Sequence, residues 1–198
     1  MSIDRLPSRS LDAAYFDGIF AGNDDPWSLA SSDYEAAKFA RTIAVLADRC
    51  YASALEIGCA HGVLTRKLAP LCTDLLAIDI AAAAIEAARK RCAALPQVRF
   101  ERMTFPLQTP TITMLDLVVL SEVAYYWSDE DLAECGEWLR DHVAAGGRIL
   151  LVHFTEETDY PQSGDGATSK LQRLLGDAIT VARAERADRY RLDLWARR

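Results

Sequence analysis

Between Ser53 and Phe154 the chain switches repeatedly between two hydrophobic periodicities, and that alternation most constrains its fold. Strand-like "SALEIG" precedes "HGVLTRKLAPLC", which spaces its apolar residues as a helix does. "DLLAID" precedes the alanine-rich helix "AAAAIEAARKRCAAL", and "QVRFE" and the nearly unbroken apolar "LDLVVLSE" read as the third and fourth strands. A helix over "DEDLAECGEWLRDHV" and a strand over "GRILLVHF" complete the series. Strands that alternate with amphipathic helices pair in parallel, since each crossover helix buries its apolar face on the sheet.

Pro96 separates the second helix from its next strand, and "AAGGR" stops the helix over "DEDLAECGEWLRDHV". "ETDYPQSGDGATS" reads as a polar loop before a short helix around Lys170–Leu175. The tail "AITVARAERADRYRLDLWARR" alternates on both sides of Ala187–Asp188, which predicts an antiparallel pair. The expected core is therefore a Rossmann-like α/β fold. It has a seven-stranded, mostly parallel sheet, helices on both faces and an antiparallel C-terminal strand pair.

Ahead of the alternation, "SSDYEAAKFARTIAVLADRC" predicts a helix capped by Ser32 or Asp33, with Phe39, Ile43 and Leu46 on its apolar side. It either covers a sheet face or closes over a ligand at the strand ends. A chain of 198 residues suits one domain. Residues 1–50 form its expected helical cap segment and 51–198 its α/β core.

No apolar run approaches the roughly 20 residues of a membrane span, and "MSIDRLPSRS" has no hydrophobic leader region, so a cytoplasmic protein with no membrane partner is expected. The five cysteines contain no C-x-x-C pair, which argues against a disulfide framework or a zinc site. The three dispersed histidines make no metal site either. A net charge of −7 disfavours nucleic acid and suits a small-molecule partner.

Ligands of open parallel sheets sit beyond the C-terminal strand ends, where the first loop meets a helix. The first such loop is "LEIGCAHG". A dinucleotide fingerprint needs glycine at the first, third and sixth turn positions, which here are Gly58, Ala60 and Val63, a poor match. The observed pattern is acid-x-Gly-x-Ala-x-Gly over Glu56, Gly58, Ala60 and Gly62, with Cys59 between the first two small residues. It resembles motif I of the class I S-adenosylmethionine-dependent methyltransferases, with alanine at the middle position.

That resemblance implies a cofactor whose ammonium wants an acceptor such as Glu56, and whose carboxylate can use backbone N–H groups of the turn. Asp79 ends the second strand 21 positions after Gly58, where a carboxylate can accept from both ribose hydroxyls. The alternative for Asp79 is a helix cap. Ile80 follows it in the expected lining. Related methyltransferases place an aspartate for the adenine amine after the third strand. Here "ERMTFP" puts Thr104 there, with Phe105 to pack on the purine.

"LSEVAYYW", "NDDPW", "DYEAAKFARTIAVL" and "LEIGCAHGVLTRKLAP" narrow the likeness. Together they resemble the nodulation protein S family of methyltransferases, from about Asp24 to Phe154. The resemblance implies a class I methyltransferase fold, S-adenosylmethionine as cofactor and S-adenosylhomocysteine as product. It also implies N-methylation of a small-molecule amine, such as a deacetylated amino sugar or chito-oligosaccharide. O-methylation of a sugar or natural-product hydroxyl and a non-catalytic cofactor-binding regulatory domain are the alternatives.

Glu122 follows "LDLVVLS" at the mouth of the expected site, as a substrate-amine contact and candidate base or else as a helix cap or surface acid, with Ser121 beside it in the cofactor lining. Tyr126 or its neighbour Tyr125 can stack on a sugar or attract a cation, while Trp127 reads as core. His153, at the end of "LLVHF", is a second candidate base. His61 should face the cofactor edge or solvent, and His142 a helix C-terminal dipole. Tyr34, Lys38 and Arg41 share a helix face, either as a lid over the cofactor carboxylate or as a solvated face. Trp27 either shuts the pocket or anchors its segment.

Overall fold

The computed structural model describes residues 9–112 and 114–198. Most of the stretch read as lacking a leader, residues 1–8, lies outside the described residues. One sheet contains β1 (Tyr51–Ile57), β2 (Cys72–Asp79), β3 (Val98–Arg102), β4 (Leu115–Ser121), β5 (Val143–Phe154), β6 (Ile179–Arg186) and β7 (Tyr190–Arg197). Their spatial order is β3-β2-β1-β4-β5-β7-β6. The pairs among β1 to β5 are parallel, and β7 runs antiparallel to both β5 and β6. This is the expected class I methyltransferase arrangement.

The strands alternate their apolar residues between two layers, as period two demands. Leu55, Ile57, Leu76, Ile78, Val118, Leu120, Ile149 and Leu151 enter one core cluster with α5 (Asp129–His142) and α6 (Gly164–Leu175). Leu75, Leu117, Val119, Leu150 and Val152 enter the other, with α2 (Asp33–Leu46) and α3 (Val63–Leu68). α4 (Ala82–Arg91) follows β2 and ends in three basic residues that suit its C-terminal dipole. Among the described residues no helix is long and apolar enough to cross a membrane.

Serine side chains start three of the helices. Ser32, Ser128 and Ser163 each accept the backbone N–H three residues on, a cap worth about 1 kcal/mol. The third of these corrects the sequence reading, because α6 begins at Gly164 rather than near Lys170. Its two early glycines looked like loop, but the Ser163 cap and the buried Ala167, Thr168 and Leu171 outweigh their poor propensity.

A second difference is α1 (Ala13–Gly22), which the sequence reading did not identify. Asp12 caps it by accepting from Tyr15 N, and Phe16 and Phe20 bury one edge. Its apolar residues join the cluster of Tyr126 and Trp127. Just before it, Leu11 N donates to Tyr126 O at 3.0 Å. α1 therefore lies against the residues that follow β4, whereas α2 packs Phe39, Val45 and Leu46 on a sheet face.

Candidate active site

β1 is the point where strand order reverses, since β2 lies on one side of it and β4 on the other. Such switch points open a crevice beyond the strand ends. A cavity of about 950 Å³ occupies that place. Trp27, Tyr34, Lys38, Glu56, Gly58, Cys59, Ala60, Asp79, Ile80, Thr104, Phe105, Ser121, Glu122 and Tyr126 all line it.

At one end the turn after β1 is held tightly. Gly58 N and Cys59 N both donate to Ile78 O, at 2.9 and 3.0 Å. Gly58 has φ +78°, and a Cβ there would sit 3.1 Å from the Val123 side chain. Glycine adopts that left-handed backbone without strain and spares the crowding of Val123 in the loop after β4. Ala60 also has positive φ, +45°, and its N–H donates to Asp79 Oδ2 at 2.8 Å.

Asp79 Oδ1 accepts from Ala81 N at 2.9 Å. Asp79 is not the N-cap of α4, which is Ala81 without a side-chain cap. A carboxylate accepts about four hydrogen bonds, so capacity remains for an incoming diol. Thr104 N donates to Gln108 Oε1 at 2.9 Å, and Phe105 packs against Trp127 and Trp138. Trp27 sets its ring edge-on to Phe20, with centroids 5.5 Å apart.

Glu56 is 1 % exposed, and its Oε2 has no hydrogen-bond partner among the described residues. Burial pushes its carboxyl up to about 8, opposed by the Thr65 hydroxyl and reinforced by Asp79. A buried carboxylate oxygen left unpaired is costly unless a ligand supplies the donor.

The other end is organised by Glu122, which stands after β4 with φ +56°. Its N–H donates to Val152 O at 2.8 Å. Oε1 meets Lys38 Nζ at 2.5 Å, and Oε2 accepts from Tyr125 OH at 2.9 Å and Phe154 N at 2.8 Å. Four bonds thus hold a left-handed, strained backbone at the pocket mouth. Tyr126 sits edge-on to Phe16 and Tyr160, while Tyr125 stacks on Tyr160 with centroids 5.4 Å apart.

Four placements correct the sequence reading. His153 is fully buried and does not line the cavity. Its Nε2 accepts from Ala124 N at 3.2 Å and its Nδ1 lies 3.3 Å from Thr168 Oγ1, whose own proton goes to Gly164 O. Burial lowers its pKa to about 4, with Glu122 opposing. Both ring nitrogens are used internally, so it braces the loop after β4 rather than serving as a base.

Gly62 likewise does not line the cavity. At φ +80° it starts α3, and a Cβ there would lie 3.0 Å from Ala88 Cβ, so it serves helix packing. His61 faces neither cofactor edge nor solvent. It is 2 % exposed, with Nε2 3.2 Å from Asp25 Oδ1, beneath the "NDDPW" segment.

Lys38 is no waiting cation for a cofactor carboxylate. Its ammonium, 2 % exposed, is paired with Glu35 at 2.9 Å and with Glu122. Burial alone would lower its pKa, but the two carboxylates outweigh it and raise it. Arg41, on the same face, is exposed and bound to Glu185, the solvated alternative. His142 behaves as expected, with Nδ1 2.9 Å from Trp138 O at the end of α5.

Glu35, Phe16, Tyr160 and Arg189 also line the cavity and were not singled out from sequence. Arg189 sets its guanidinium over the rings of Tyr34 and Phe154, at 4.9 and 5.3 Å. Asp12 three residues before Tyr15, with Phe16 and Phe20 four apart, was the signal available for α1.

A family model described as nodulation protein S (NodS) matches residues 21–144, more than half of the chain. The chain belongs to the nodulation protein S family. It is 39 % identical over 108 residues to the nodulation protein S of Bradyrhizobium diazoefficiens, covering 54 % of this chain and 51 % of that protein. To the Rhizobium tropici protein it is 35 % identical over 131 residues, 65 % of this chain and 54 % of that one. The chain thus spans about half the length of these curated relatives.

The crystal structure of the N-methyltransferase NodS from Bradyrhizobium japonicum WM9, in complex with S-adenosyl-L-homocysteine, superposes with a TM-score of 0.79. It is 25 % identical, with 93 % of this chain and 97 % of that chain covered.

Proposed function

We propose that this NodS-family protein is an S-adenosylmethionine-dependent N-methyltransferase of a small-molecule amine, with a deacetylated amino sugar or chito-oligosaccharide as the leading acceptor. We take residues 1–198 as one methyltransferase domain whose first 50 residues cap the cavity. The observation that carries the cofactor is the unpartnered, buried Glu56 Oε2 beside the Gly58–Ala60 turn. It fits an ammonium group, and no other described residue provides one there.

Glu56 would hold the amino-acid ammonium, the turn N–H groups its carboxylate and Asp79 the ribose. Ile80, Thr104 and Phe105 would wall the adenine, and Cys59, Ser121 and Trp27 would fill the remaining surface. Bound there, the cofactor supplies an electrophilic methyl group on a sulfonium. The chain's own work is to align and dry the site. Phe16, Phe20 and Trp27 cover the cavity with apolar surface and exclude water, and fixed geometry supplies much of the rate.

The acceptor enters at Glu122, Tyr126 and Tyr160. Their carboxylate and aromatic faces favour a cationic, ring-bearing molecule. O-methylation loses one of its two candidate bases, since the His153 imidazole is walled in, while Glu122, the other, already accepts three hydrogen bonds. Transfer from labelled S-adenosylmethionine to two chito-oligosaccharides tests the reading, one with a free terminal amine and one fully acetylated. Labelling of the free amine alone is expected. Labelling of hydroxyls in both, or of neither while cofactor binds, would overturn it.

A further inference from the structure

Two carboxylate oxygens in the cavity-lining residues are buried without a partner among the described residues, Glu56 Oε2 and Glu35 Oε2. The cofactor ammonium answers for the first. Glu35 has an ordinary role close at hand, which the structure declines. Ser32 and Glu35 have the S-x-x-E spacing of a capping box, in which the glutamate accepts the N–H of the capping serine.

Only half of that box is closed. Glu35 N donates to Ser32 Oγ at 3.4 Å, but Ser32 N donates to Ser28 O at 2.9 Å. The Glu35 carboxylate turns instead to Lys38, Oε1 accepting from Nζ at 2.9 Å, and Oε2 is left over. Glu35 is 8 % exposed, and its Oε2 is buried with no protein donor among the described residues.

The charges around it favour a cation. Glu35 and Glu122 set two carboxylates against one ammonium, that of Lys38. Arg189 faces the group from the β6–β7 connection but is paired with Glu156 at 3.1 Å. Tyr34 adds a buried hydroxyl that also has no partner among the described residues. Glu122 is poorly placed to take a proton itself, since its two oxygens already accept three bonds.

We propose that Glu35 is the acceptor-amine site, its Oε2 binding the substrate ammonium and receiving the proton that the nitrogen must lose. This rests on the N-methyltransferase reading above. In that step an N–H bond breaks and an O–H bond forms on Glu35 Oε2. The nitrogen keeps the electron pair and becomes a neutral amine, while the carboxylate becomes a carboxylic acid. Lys38 is the positioning residue, holding Oε1 so that Oε2 stays free. Burial raises the Glu35 pKa, with Lys38 opposing and Glu122 reinforcing, which suits a group that must hold a proton.

The test compares wild type with Glu35→Gln and Glu35→Asp in the whole chain. Calorimetry gives the affinity for S-adenosylhomocysteine. It then gives the affinity of the product-loaded protein for the free-amine chito-oligosaccharide and its fully acetylated counterpart. Glu35→Gln should keep product affinity within about twofold and weaken free-amine binding about tenfold or more, the scale of one charge-assisted hydrogen bond. Binding of the acetylated oligomer should not change.

Glu35→Asp keeps the charge and should restore part of the preference for the free amine. Loss of the acidic limb of kcat/KM in Glu35→Gln would agree. Wild-type free-amine affinity in Glu35→Gln overturns the assignment and leaves the methyltransferase reading standing. Equal weakening of both oligomers in both variants assigns Glu35 a structural role and also overturns it. A wild type that methylates only hydroxyls overturns both readings together.

Discussion

The two ends of the cavity are built on different principles. The cofactor end takes Glu56 and Asp79 from the C-terminal ends of β1 and β2 and Thr104 from the loop after β3, so the parallel sheet alone delivers them to one edge. The acceptor end assembles Glu35 and Lys38 from α2, Glu122 after β4, Tyr160 before α6 and Arg189 before β7. Lys38 and Glu122 are 84 positions apart and meet only because α2 folds over the strand ends. Local backbone chemistry shapes one end, and long-range ion pairing shapes the other.

Mutation should separate the two. Glu122→Gly relieves a left-handed glutamate but removes three side-chain contacts and one of two carboxylates from a buried ammonium. We expect a loss of about 3 kcal/mol in urea denaturation, the scale for breaking a buried ion pair. Amine methylation should be lost, while S-adenosylhomocysteine affinity falls only slightly. A collapse of that affinity equal to the loss of turnover would break the division into two ends.

Glu56→Gln should do the reverse, weakening cofactor binding about tenfold at pH 8.5, as one charge-assisted contact is lost. The sign of its pH dependence follows from the raised pKa. The ligand-free carboxyl, at about 8, is mostly protonated at neutral pH, so binding an ammonium expels a proton. Affinity should therefore climb with pH and level off above about 8, by at most about tenfold per unit. The stability of the ligand-free protein should run the other way, highest below the ordinary carboxylate range and declining as pH rises through about 8. Isothermal titration at several pH values checks this, and Glu56→Gln should flatten both curves.

Legibility in the sequence follows the same division. Alternating periodicity revealed the seven strands and the antiparallel tail, because strand and helix periods are written locally. Glu56, Gly58 and Asp79 were legible because spacing along a strand-loop-helix unit fixes where they stand. Glu35 was masked by its own capping-box spacing, which offers a sufficient local role until the bonds of Ser32 are traced. His153 misled for the opposite reason. It lies at the correct sheet edge, but only the packing of Thr168 and Ala124 against it shows that its nitrogens are spent. Burial and partner choice are tertiary facts, and they decide which polar residues remain available.

The smallest expected effect is the sharpest test of the cofactor end. Ala60 and Glu122 both hold left-handed backbone, at φ +45° and +56°. At Glu122 the side chain's contacts justify the strain. At Ala60 the backbone N–H donates to Asp79 Oδ2 and the carbonyl accepts from Cys59 Sγ, and glycine keeps both groups, losing only a methyl at the edge of the core cluster. Ala60→Gly should therefore gain up to about 1 kcal/mol by removing the Cβ strain, partly offset by the greater freedom of glycine in the unfolded chain. Cofactor affinity should stay within about threefold, because the Asp79 bond is retained. Opposite signs for Ala60→Gly and Glu122→Gly in one denaturation series would show that the same strain is incidental at one end of the cavity and structural at the other. A destabilised Ala60→Gly would mean that the Ala60 methyl itself packs the turn, and the cofactor end would no longer count as backbone chemistry alone.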